Sequence, residues 1–195
     1  PSGPKLARAS SSWAAPATWA PHYPASRADV GAFSRTDTGA GGTLVGEDEP
    51  VPAAEGAKRL GSGGLRLAVD PASAAGSFRI EGQPAGPAVG HRPAQPGDVA
   101  LLLHTSGTTS RPKLVPLRHS NLAASARNIG RTLGLQAGDR CLNIMPLFHI
   151  HGLIAAVLSS LAAGGSVYCT PGFNALRFFH WLGDAKPSWY TAVPT

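Results

Sequence analysis

Apolar residues in the second half of the chain form short runs separated by stretches with helical spacing. Val99–Leu103 is a continuous apolar run, which is typical of a strand covered on both faces. A polar loop follows, and Leu114–Leu117 is a second extended segment that Pro116 keeps away from the centre of a sheet. The next segment predicts a helix with one apolar face, at Leu122, Ala126, Ile129 and Leu133. Ser120 can cap this helix and Gly134 can end it.

The rest of the chain alternates between strands and helices. The predicted elements are a strand at Cys141–Met145, a helix at Gly152–Ala163, a strand at Ser166–Cys169, a helix at Ala175–Leu182 and a strand at Trp189–Val193. Gly152–Ala163 is shorter than the roughly 20 residues that cross a bilayer, so it predicts a buried helix and no membrane span. The pattern predicts an α/β fold, a partial parallel β-sheet with right-handed crossover helices. Ligands of such sheets bind at the carboxyl ends of the strands.

The first half of the chain lacks this regularity. No helical or strand periodicity precedes Arg59, and 12 of the 18 prolines precede Asp98, so this part buries too little apolar surface to fold well. Leu65, Leu67 and Val69 alternate as a short strand does. We therefore predict a poorly ordered, low-complexity arm and linker over residues 1–97 and a folded domain over residues 98–195.

The charge distribution indicates an anionic partner. The chain carries a formal charge of +6, and residues 98–195 hold eight Lys and Arg against three Asp and Glu. A basic surface suits a nucleotide, coenzyme A, a carboxylate or nucleic acid. Nucleic acid is the weakest of these alternatives, because the arginines are scattered and no known binding signature accompanies them. We therefore expect a small-molecule ligand and no nucleic-acid partner.

The two cysteines and residues 1–28 give information about the cellular compartment of the protein. Cys141 and Cys169 have no Cys or His at metal-ligand spacing, which favours a reduced, buried pair over a disulfide or a reactive thiol. Residues 1–28 contain Lys5, Arg8 and Arg27 without an acid, as an organelle transit peptide does, but any disordered Ala- and Pro-rich arm has the same composition. A cytoplasmic location is the expectation, and a peroxisome or another organelle is the alternative.

The polar loop after the first strand contains the strongest chemical signal. The segment TSGTTSRPK concentrates hydroxyl side chains, at Thr105, Ser106, Thr108, Thr109 and Ser110. Gly107 lets the backbone approach a ligand, and Lys113 adds a mobile positive charge. Such groups can surround a polyphosphate, although a solvated turn is the alternative. The loop is not of the Walker type, because no Gly precedes Lys113 and Leu114 replaces the Mg²⁺-binding Ser or Thr.

The order of residues in this loop resembles the signature of the adenylate-forming superfamily, which contains acyl-CoA synthetases, luciferases and adenylation domains of peptide synthetases. The signature reads Thr-Ser-Gly-Ser/Thr-Thr-Gly-x-Pro-Lys, and it differs here at Ser110, where most members have Gly. Ser-Arg-Pro-Lys preceded by His104 is similar to the branch that contains oxalate-CoA ligases. The resemblance implies that the loop binds ATP phosphates through Thr105, Ser106, Gly107, Thr108, Thr109, Ser110 and Lys113.

A second motif supports the resemblance. Met145–Gly152, with the sequence MPLFHIHG, is similar to the next family motif, which ends a strand and starts the helix behind the acyl pocket. The resemblance implies that His149 lies near the acyl and CoA tunnel and that His151 adds polarity to the pocket. From the residues alone, two hydrogen-bonded structural histidines are the alternative. Trp189–Thr195 also resembles the oxalate-CoA ligase branch, and an ordinary buried strand is its alternative.

The resemblance implies an ATP-dependent acid–thiol ligase that uses ATP, Mg²⁺ and coenzyme A. A carboxylic acid and ATP give an acyl-adenylate and pyrophosphate, and coenzyme A then displaces AMP. The adenine and ribose motifs and the adenylating Lys of the C-terminal domain are not found, and no residue is a direct metal ligand. We therefore expect a fragment of the large N-terminal domain that is inactive without the missing C-terminal part. A non-catalytic, phosphate-binding pseudo-ligase is the alternative.

Two matters stay open at the level of the sequence. Residues 1–59 do not resemble the family, which leaves a disordered leader or a frame-shifted reading of GC-rich DNA as explanations. The acid is not specified either, since oxalate, other short dicarboxylates, fatty acids and aryl acids all remain candidates.

Overall fold

The structure is a computed structural model of the 195-residue chain, and it describes residues 6–7, 42–46, 63–70, 72–73, 77–82, 93–105 and 113–194. The chain divides into two compact units. Unit 1 consists of Arg118–Thr195, Pro1–Trp13 and Ala74–Gly76, and unit 2 consists of Ala14–Ser73 and Ser77–Leu117. Neither unit begins at residue 98, and the division into an arm of residues 1–97 and a domain of residues 98–195 stays a prediction.

The described elements follow one another in this order. The strands are β1 (Leu6–Ala7), β2 (Gly42–Gly46), β3 (Gly63–Ala68), β4 (Arg79–Glu81), β5 (Val99–Thr105), β6 (Lys113–Arg118), β7 (Arg140–Asn143), β8 (Ser166–Cys169) and β9 (Trp189–Tyr190). The helices are α1 (His119–Leu133), a π-helix (His151–Leu158), α2 (Ser159–Ala162) and α3 (Ala175–Ala185).

The strands β7, β8 and β9 form the parallel part of a four-stranded sheet in unit 1, with β7 between the other two. Cys141 on β7 lies opposite Val167 on β8 and Trp189 on β9. The π-helix with α2, and then α3, provide the long connections that parallel strands require. The predicted parallel sheet is therefore confirmed. The strand β1 adds an antiparallel edge beside β8, which no pattern in the sequence predicted.

Helices cover both faces of this sheet. Successive side chains of a strand point to opposite faces, so Leu142 and Cys141 of β7 enter two separate cores. The first core joins β7 and β8 to α3 through Leu142, Ile144, Tyr168, Trp181 and Ala185. In the second core, Cys141 packs with Ala156 of the π-helix and Val167. Full burial of a side chain such as Leu142 stabilises a fold by about 1.5–3 kcal/mol, so these cores hold the carboxyl edge of the sheet in place.

The start of α1 differs from the prediction. The helix begins at His119, so Ser120 lies inside its first turn and does not cap it. Arg118 occupies the cap position, and its backbone N–H donates to Oδ1 of Asn121 at a distance of 2.9 Å. The asparagine therefore satisfies a backbone donor that the helix itself leaves without a partner.

The predicted end of α1 is confirmed. Gly134 adopts a left-handed φ of 64°, which a residue with a side chain rarely adopts. The N–H of Leu135 donates to the carbonyl of Gly130 at 2.8 Å, as expected for a helix that ends at glycine. The predicted apolar face is only partly buried, because Ala126 is buried whereas Leu133 is 54% exposed.

The predicted helix at residues 152–163 is wound in two ways. A π-helix forms its first two turns, and the α-helix α2 continues it. In the wide π turn, the N–H of Ser159 bonds to the carbonyl of Ile154, five residues earlier. The hydroxyls of Ser159 and Ser160 donate to the carbonyls of Ala155 and Ala156. In the described part of the chain, no helix is long and apolar enough to cross a membrane.

Unit 2 contains two small sheets. The strand β3 pairs in parallel with β2 and antiparallel with β4, while β5 pairs with β6. The strands predicted at Val99–Leu103 and from Leu65 to Val69 are confirmed as β5 and β3. The carboxylate of Asp70 accepts the N–H of Ala72 at 2.9 Å in the turn after β3. The strand β2 was not predicted, and most of the predicted arm and linker over residues 1–97 lies outside the described residues.

Both cysteines are free thiols, and the predicted burial holds for Cys141 but only in part for Cys169. Cys141 is fully buried in β7, and Cys169 is half-buried at the end of β8. Burial raises the pKa of the Cys141 thiol from 9.0 to about 12, and burial also raises the pKa of the Cys169 thiol. Since the thiolate is the nucleophilic form, neither cysteine is suited to a nucleophilic role.

Alkylation of Cys141 by iodoacetamide should therefore be slow in the native chain. A pKa of about 12 in place of 9.0 lowers the thiolate fraction at pH 8 about a thousandfold. Mass spectrometry after timed quenching should find Cys141 unmodified in buffer and rapidly modified in guanidinium chloride. Equal rates in the two conditions would contradict its burial. Because the native thiol keeps its proton to higher pH than the unfolded one, its contribution to stability is lost as the pH rises from 9.0 towards 12.

Candidate active site

The predicted phosphate loop joins two paired strands in unit 2. The strand β5 ends at Thr105 and β6 begins at Lys113, so the first and last residues of the motif lie at strand ends. Lys113 is exposed, as a cation that reaches a dissolved polyphosphate must be. Only the backbone of Thr105 is described, and the rest of the loop lies outside the described residues, namely Ser106, Gly107, Thr108, Thr109 and Ser110. Their contacts with phosphate stay a prediction.

The second predicted group lies in unit 1, at the carboxyl ends of the parallel strands. Ligands of parallel sheets bind at this edge, because the loops that leave the strands there surround a crevice. The strands β7, β8 and β9 lead into loops that begin at Ile144, Thr170 and Thr191. The polar residues of this edge form two hydrogen-bonded groups, Asn143 with Thr170, and His151 with His149 and Thr191.

Asn143 fixes the point where the chain leaves β7. Its side chain is 2% exposed, and Oδ1 accepts the backbone N–H of Met145 at 3.1 Å. Its carbonyl oxygen accepts both the backbone N–H and the hydroxyl of Thr170, each at 3.1 Å. The backbone carbonyl therefore holds the ends of β7 and β8 together, while the buried side-chain amide fixes the turn after β7. The loop with the two histidines therefore starts from a rigid position.

His151 is the first residue of the π-helix, and His149 lies two residues before it. His149 is exposed, and its Nδ1 accepts the backbone N–H of His151 at 3.2 Å. His151 is half-buried, and its Nε2 lies 2.7 Å from Oγ1 of Thr191. The structure thus brings both sequence-predicted histidines to the carboxyl edge of the sheet. Their contacts with an acyl group or with coenzyme A stay a prediction.

Gly152 allows the helix to begin so close to the preceding loop. A Cβ at this position would overlap the carbonyl oxygen of Pro146 and lie 2.8 Å from the carbonyl oxygen of Met145. Both obstacles are backbone atoms, which cannot rotate away. The glycine therefore keeps the loop folded back against the first helical turn, and this close packing sets the position of the two histidines.

Thr191 is a site residue that the sequence did not reveal. It lies in the Trp189–Thr195 segment, which resembles the family and for which an ordinary buried strand is the alternative. Its 40-residue separation from His151 hides the contact in the sequence. Only the pairing of Leu142 with Tyr190 across β7 and β9 brings Thr191 to the histidine. A polar residue inside an otherwise apolar predicted strand was the one available signal, and Asn143 gave the same kind of signal in the strand predicted at Cys141–Met145.

A cleft of about 340 Å³ adjoins this contact. It lies among α1, the π-helix and β9, and its walls are mainly apolar. The lining residues are Asn128, Ile129, Thr132, Leu133, Ala155, Trp189 and Thr191. Thr191 therefore contributes both to the cleft and to the hydrogen bond with His151.

The carboxylate of Asp139 lies away from this edge, just before β7 begins. It accepts the hydroxyl of Ser188 and the backbone N–H of Gln136, each at 2.7 Å, and these hydrogen bonds lower its pKa. Asp139 thus joins the loops at the amino ends of β7 and β9 and has no part in the candidate site. Across the described ranges, no group of three or more His, Cys, Asp or Glu side chains is placed to hold a metal ion.

Solved structures, among them one of a CoA synthetase, share this fold. O-succinylbenzoate coenzyme A synthetase (MenE) from Bacillus subtilis, in complex with ATP and a magnesium ion, superposes with a TM-score of 0.63 and 27% identity, over 85% of this chain and 32% of that chain. ATP-bound MatB from Rhodopseudomonas palustris gives a TM-score of 0.63 at 24% identity, over 83% of this chain and 31% of that chain, and shows the fold alone. The fold is that of the adenylate-forming enzymes.

The sequence model of the AMP-binding enzyme family matches residues 10–195, and the chain belongs to this family. The oxalate-CoA ligase of Arabidopsis thaliana is 50% identical over 102 residues, which cover 51% of this chain and 20% of the relative. The sulfoacetate-CoA ligase of Cupriavidus necator is 42% identical over 105 residues, which cover 53% of this chain and 20% of the relative. The predicted family and its oxalate-CoA ligase-like branch are therefore confirmed, although the chain spans about a fifth of the length of these relatives.

The expectation that residues 1–59 are foreign to the family was wrong. The family match begins at residue 10 and includes nearly all of this segment. An Ala-, Gly- and Pro-rich composition obscures such similarity, because it leaves few apolar positions whose spacing can be compared. A frame-shifted origin of residues 1–59 therefore has no support from the family match.

Proposed function

We propose that this chain is part of an ATP-dependent carboxylate-CoA ligase. The enzyme activates a carboxylic acid as an acyl-adenylate, with release of pyrophosphate, and then transfers the acyl group to coenzyme A. One observation carries the proposal: in a chain of the AMP-binding family, the TSGTTSRPK motif connects the paired strands β5 and β6, with Lys113 exposed at the end of the loop. A strand–loop–strand arrangement of this kind presents donors and a cation to a phosphate chain.

In this proposal the loop binds the β- and γ-phosphates of ATP. Hydroxyl groups from Thr105 to Ser110 and backbone N–H groups donate to phosphate oxygens, and the ammonium of Lys113 balances their charge. Charge increases on the phosphates as pyrophosphate leaves, so fixed donors stabilise the transition state more than the ground state. The Mg²⁺ ion belongs to the substrate MgATP, and it supplies further charge neutralisation on the phosphates.

The histidine edge of unit 1 is proposed to receive the acid and coenzyme A. His149 is exposed and presents an imidazole to a ligand, while His151 adds a second polar group beside a mainly apolar cleft. Oxalate and sulfoacetate, after which two relatives are named, are both small acids with two anionic groups. A short acid of this kind is the proposed substrate class, in preference to a fatty acid. A cytoplasmic location is part of the same proposal.

The oxalate-CoA and sulfoacetate-CoA relatives carry ligase names, so the non-catalytic pseudo-ligase has no observation in its favour.

The ligase proposal predicts that the purified 195-residue chain binds MgATP. Isothermal titration should give a saturable signal, and the same titration with MgAMP should give a much weaker one, because AMP lacks the β- and γ-phosphates that the loop holds. No binding of MgATP, or equal binding of MgAMP, would overturn the assignment of the loop.

The chain alone is not expected to catalyse the first step. The adenylating Lys of the family has no counterpart at a matching motif in these residues, and the chain spans about a fifth of its relatives. Exchange of labelled pyrophosphate into ATP, measured with a short acid such as oxalate, should stay at background. Exchange above background would refute this expectation and would strengthen the ligase proposal itself.

A further inference from the structure

A hydrogen bond between Thr191 and His151 joins two neighbouring strands at the candidate edge. Oγ1 of Thr191 lies 2.7 Å from Nε2 of His151. Thr191 directly follows β9, whereas His151 begins the π-helix that follows β7. These two strands pair in parallel. The contact therefore links the carboxyl ends of adjacent strands, where parallel sheets bind their ligands.

His151 makes a second hydrogen bond through its backbone. Its N–H lies in the first turn, where helical N–H groups lack partners within the helix, and it donates to Nδ1 of His149 at 3.2 Å. A neutral imidazole that accepts at Nδ1 carries its proton on Nε2. The exposed His149 is therefore held as the Nε2–H tautomer, which is a hydrogen-bond donor towards solvent or a ligand.

The hydroxyl of Thr191 restricts the imidazole of His151 through a hydrogen bond between the two side chains. A hydrogen bond to one ring nitrogen limits rotation of the imidazole about its Cβ–Cγ bond, and it thereby fixes the direction of the second ring nitrogen. Thr191 thus determines where Nδ1 of His151 points. Thr191 also lines the cleft together with Ala155, which lies about one turn along the π-helix from His151. The imidazole of His151, whose direction Thr191 fixes, therefore lies beside a cleft that a small ligand can enter.

We propose that Thr191 is a positioning residue that orients the His151 imidazole towards a short carboxylate bound beside His149. The proposal rests on the proposed ligase function, because the acid substrate is the ligand that uses these groups. The proposal requires the Thr191 hydroxyl to donate to Nε2 of His151, which places the His151 proton on Nδ1. Each imidazole then offers an N–H donor to an acid with oxygen atoms at both ends. A long alkyl chain offers no such acceptor and gains nothing from a fixed polar group.

The hydroxyl is tested by Thr191→Val, which keeps the shape of the side chain, and by Thr191→Ser, which keeps the hydroxyl. Long-range ¹H–¹⁵N spectra report the tautomer of each imidazole, and single His→Asn variants assign the seven histidines. In the parent chain we expect the Nε2–H tautomer at His149 and the Nδ1–H tautomer at His151. Thr191→Val should give His151 the tautomer mixture of free histidine, and Thr191→Ser should restore the parent spectrum. Thr132→Val changes another residue of the cleft and should alter neither ring.

Titration with sodium oxalate measures the consequence for ligand binding. The parent should show saturable shifts at His149 and His151, and Thr191→Val should weaken oxalate binding about tenfold, the effect of one hydrogen bond. Thr191→Ser should stay within about twofold of the parent. A tautomer mixture or the Nε2–H tautomer at His151 in the parent, no oxalate shift, or equal oxalate affinity in Thr191→Val and the parent would each overturn the inference.

The role of Thr191 can be refuted even if one variant does not fold, and it can be refuted separately from the ligase proposal. If Thr191→Val fails to fold, the parent spectrum and the Thr191→Ser titration still confirm or refute the fixed ring. MgATP binding, measured separately, reports on the ligase proposal through the loop of unit 2. Binding of MgATP combined with equal oxalate affinities would refute the role of Thr191 alone, whereas oxalate binding without MgATP binding would refute the ligase assignment.

Discussion

Replacement of Gly152 with alanine should destabilise unit 1 by about 3 kcal/mol, the upper end of the range for overpacked cores. The added Cβ would overlap the carbonyl oxygen of Pro146 and come within 2.8 Å of that of Met145. Relief of these contacts requires movement of the loop or of the first π-helical turn, and both are packed. Urea unfolding followed by tryptophan fluorescence measures the change, because Trp181 lies in the core of unit 1 and is 2% exposed.

Gly183→Ala provides the matched control. Gly183 lies inside α3 of the same unit, and a Cβ there would meet nothing within 4 Å. Alanine favours a helix interior over glycine by roughly 0.5–1 kcal/mol, so this variant should be slightly more stable than the parent. The free energy of unfolding should therefore fall for Gly152→Ala and rise for Gly183→Ala. Changes in opposite directions would show that the loss at Gly152 is steric and is not a general effect of replacing glycine. Equal stabilities of Gly152→Ala and the parent would contradict the close approach at the start of the π-helix.

Lys113→Ala should weaken the binding of MgATP about 10-fold to 100-fold. Hydrogen bonds that involve a charged group contribute about 1.5–3 kcal/mol, and the ammonium is proposed to contact the β- and γ-phosphates. Lys113 is exposed at the start of β6, so the substitution should leave the fold largely intact. Isothermal titration of the 195-residue chain with MgATP measures the affinity, and urea unfolding of the same samples checks their stability.

Lys186→Ala is the control for charge alone. Lys186 is exposed after α3, and its substitution removes one positive charge without affecting the loop. Its MgATP affinity should therefore stay within about twofold of the parent at physiological salt, where the general attraction between an exposed charge and a ligand is largely screened. If Lys186→Ala lost as much MgATP affinity as Lys113→Ala, the net charge of the chain would explain the binding. Lys113 would then have no place in the proposed site.

The MPLFHIHG motif combines a structural requirement with a chemical one. Gly152 is needed because no side chain fits between the helix and the loop, and its two neighbouring histidines take their positions from that close packing. A change at the glycine should therefore disturb the histidines even though it removes no polar group. For this reason the stability of unit 1 and its proposed ligand binding depend on the same turn.

Much of the fold could be predicted because its signals are local. The strand Ser166–Cys169 matched β8 at both ends, since a short apolar strand between a Gly-Gly turn and a proline is bounded by its own sequence. The end of α1 at Gly134 also followed from one residue. The start of α1 was wrong, because Ser120 and Asn121 are both good capping residues and only the geometry decides which backbone donor is satisfied.

The sequence by itself determined the family, the alternation of strands and helices, and the candidate residues Lys113, His149 and His151. Each of these rests on the order of neighbouring residues, which a linear sequence preserves. The tertiary structure decided the addition of β1, the π winding of the helix and the contact between His151 and Thr191. These features depend on strand pairing and on packing between segments distant in the chain, and no local pattern of apolar and polar residues records them.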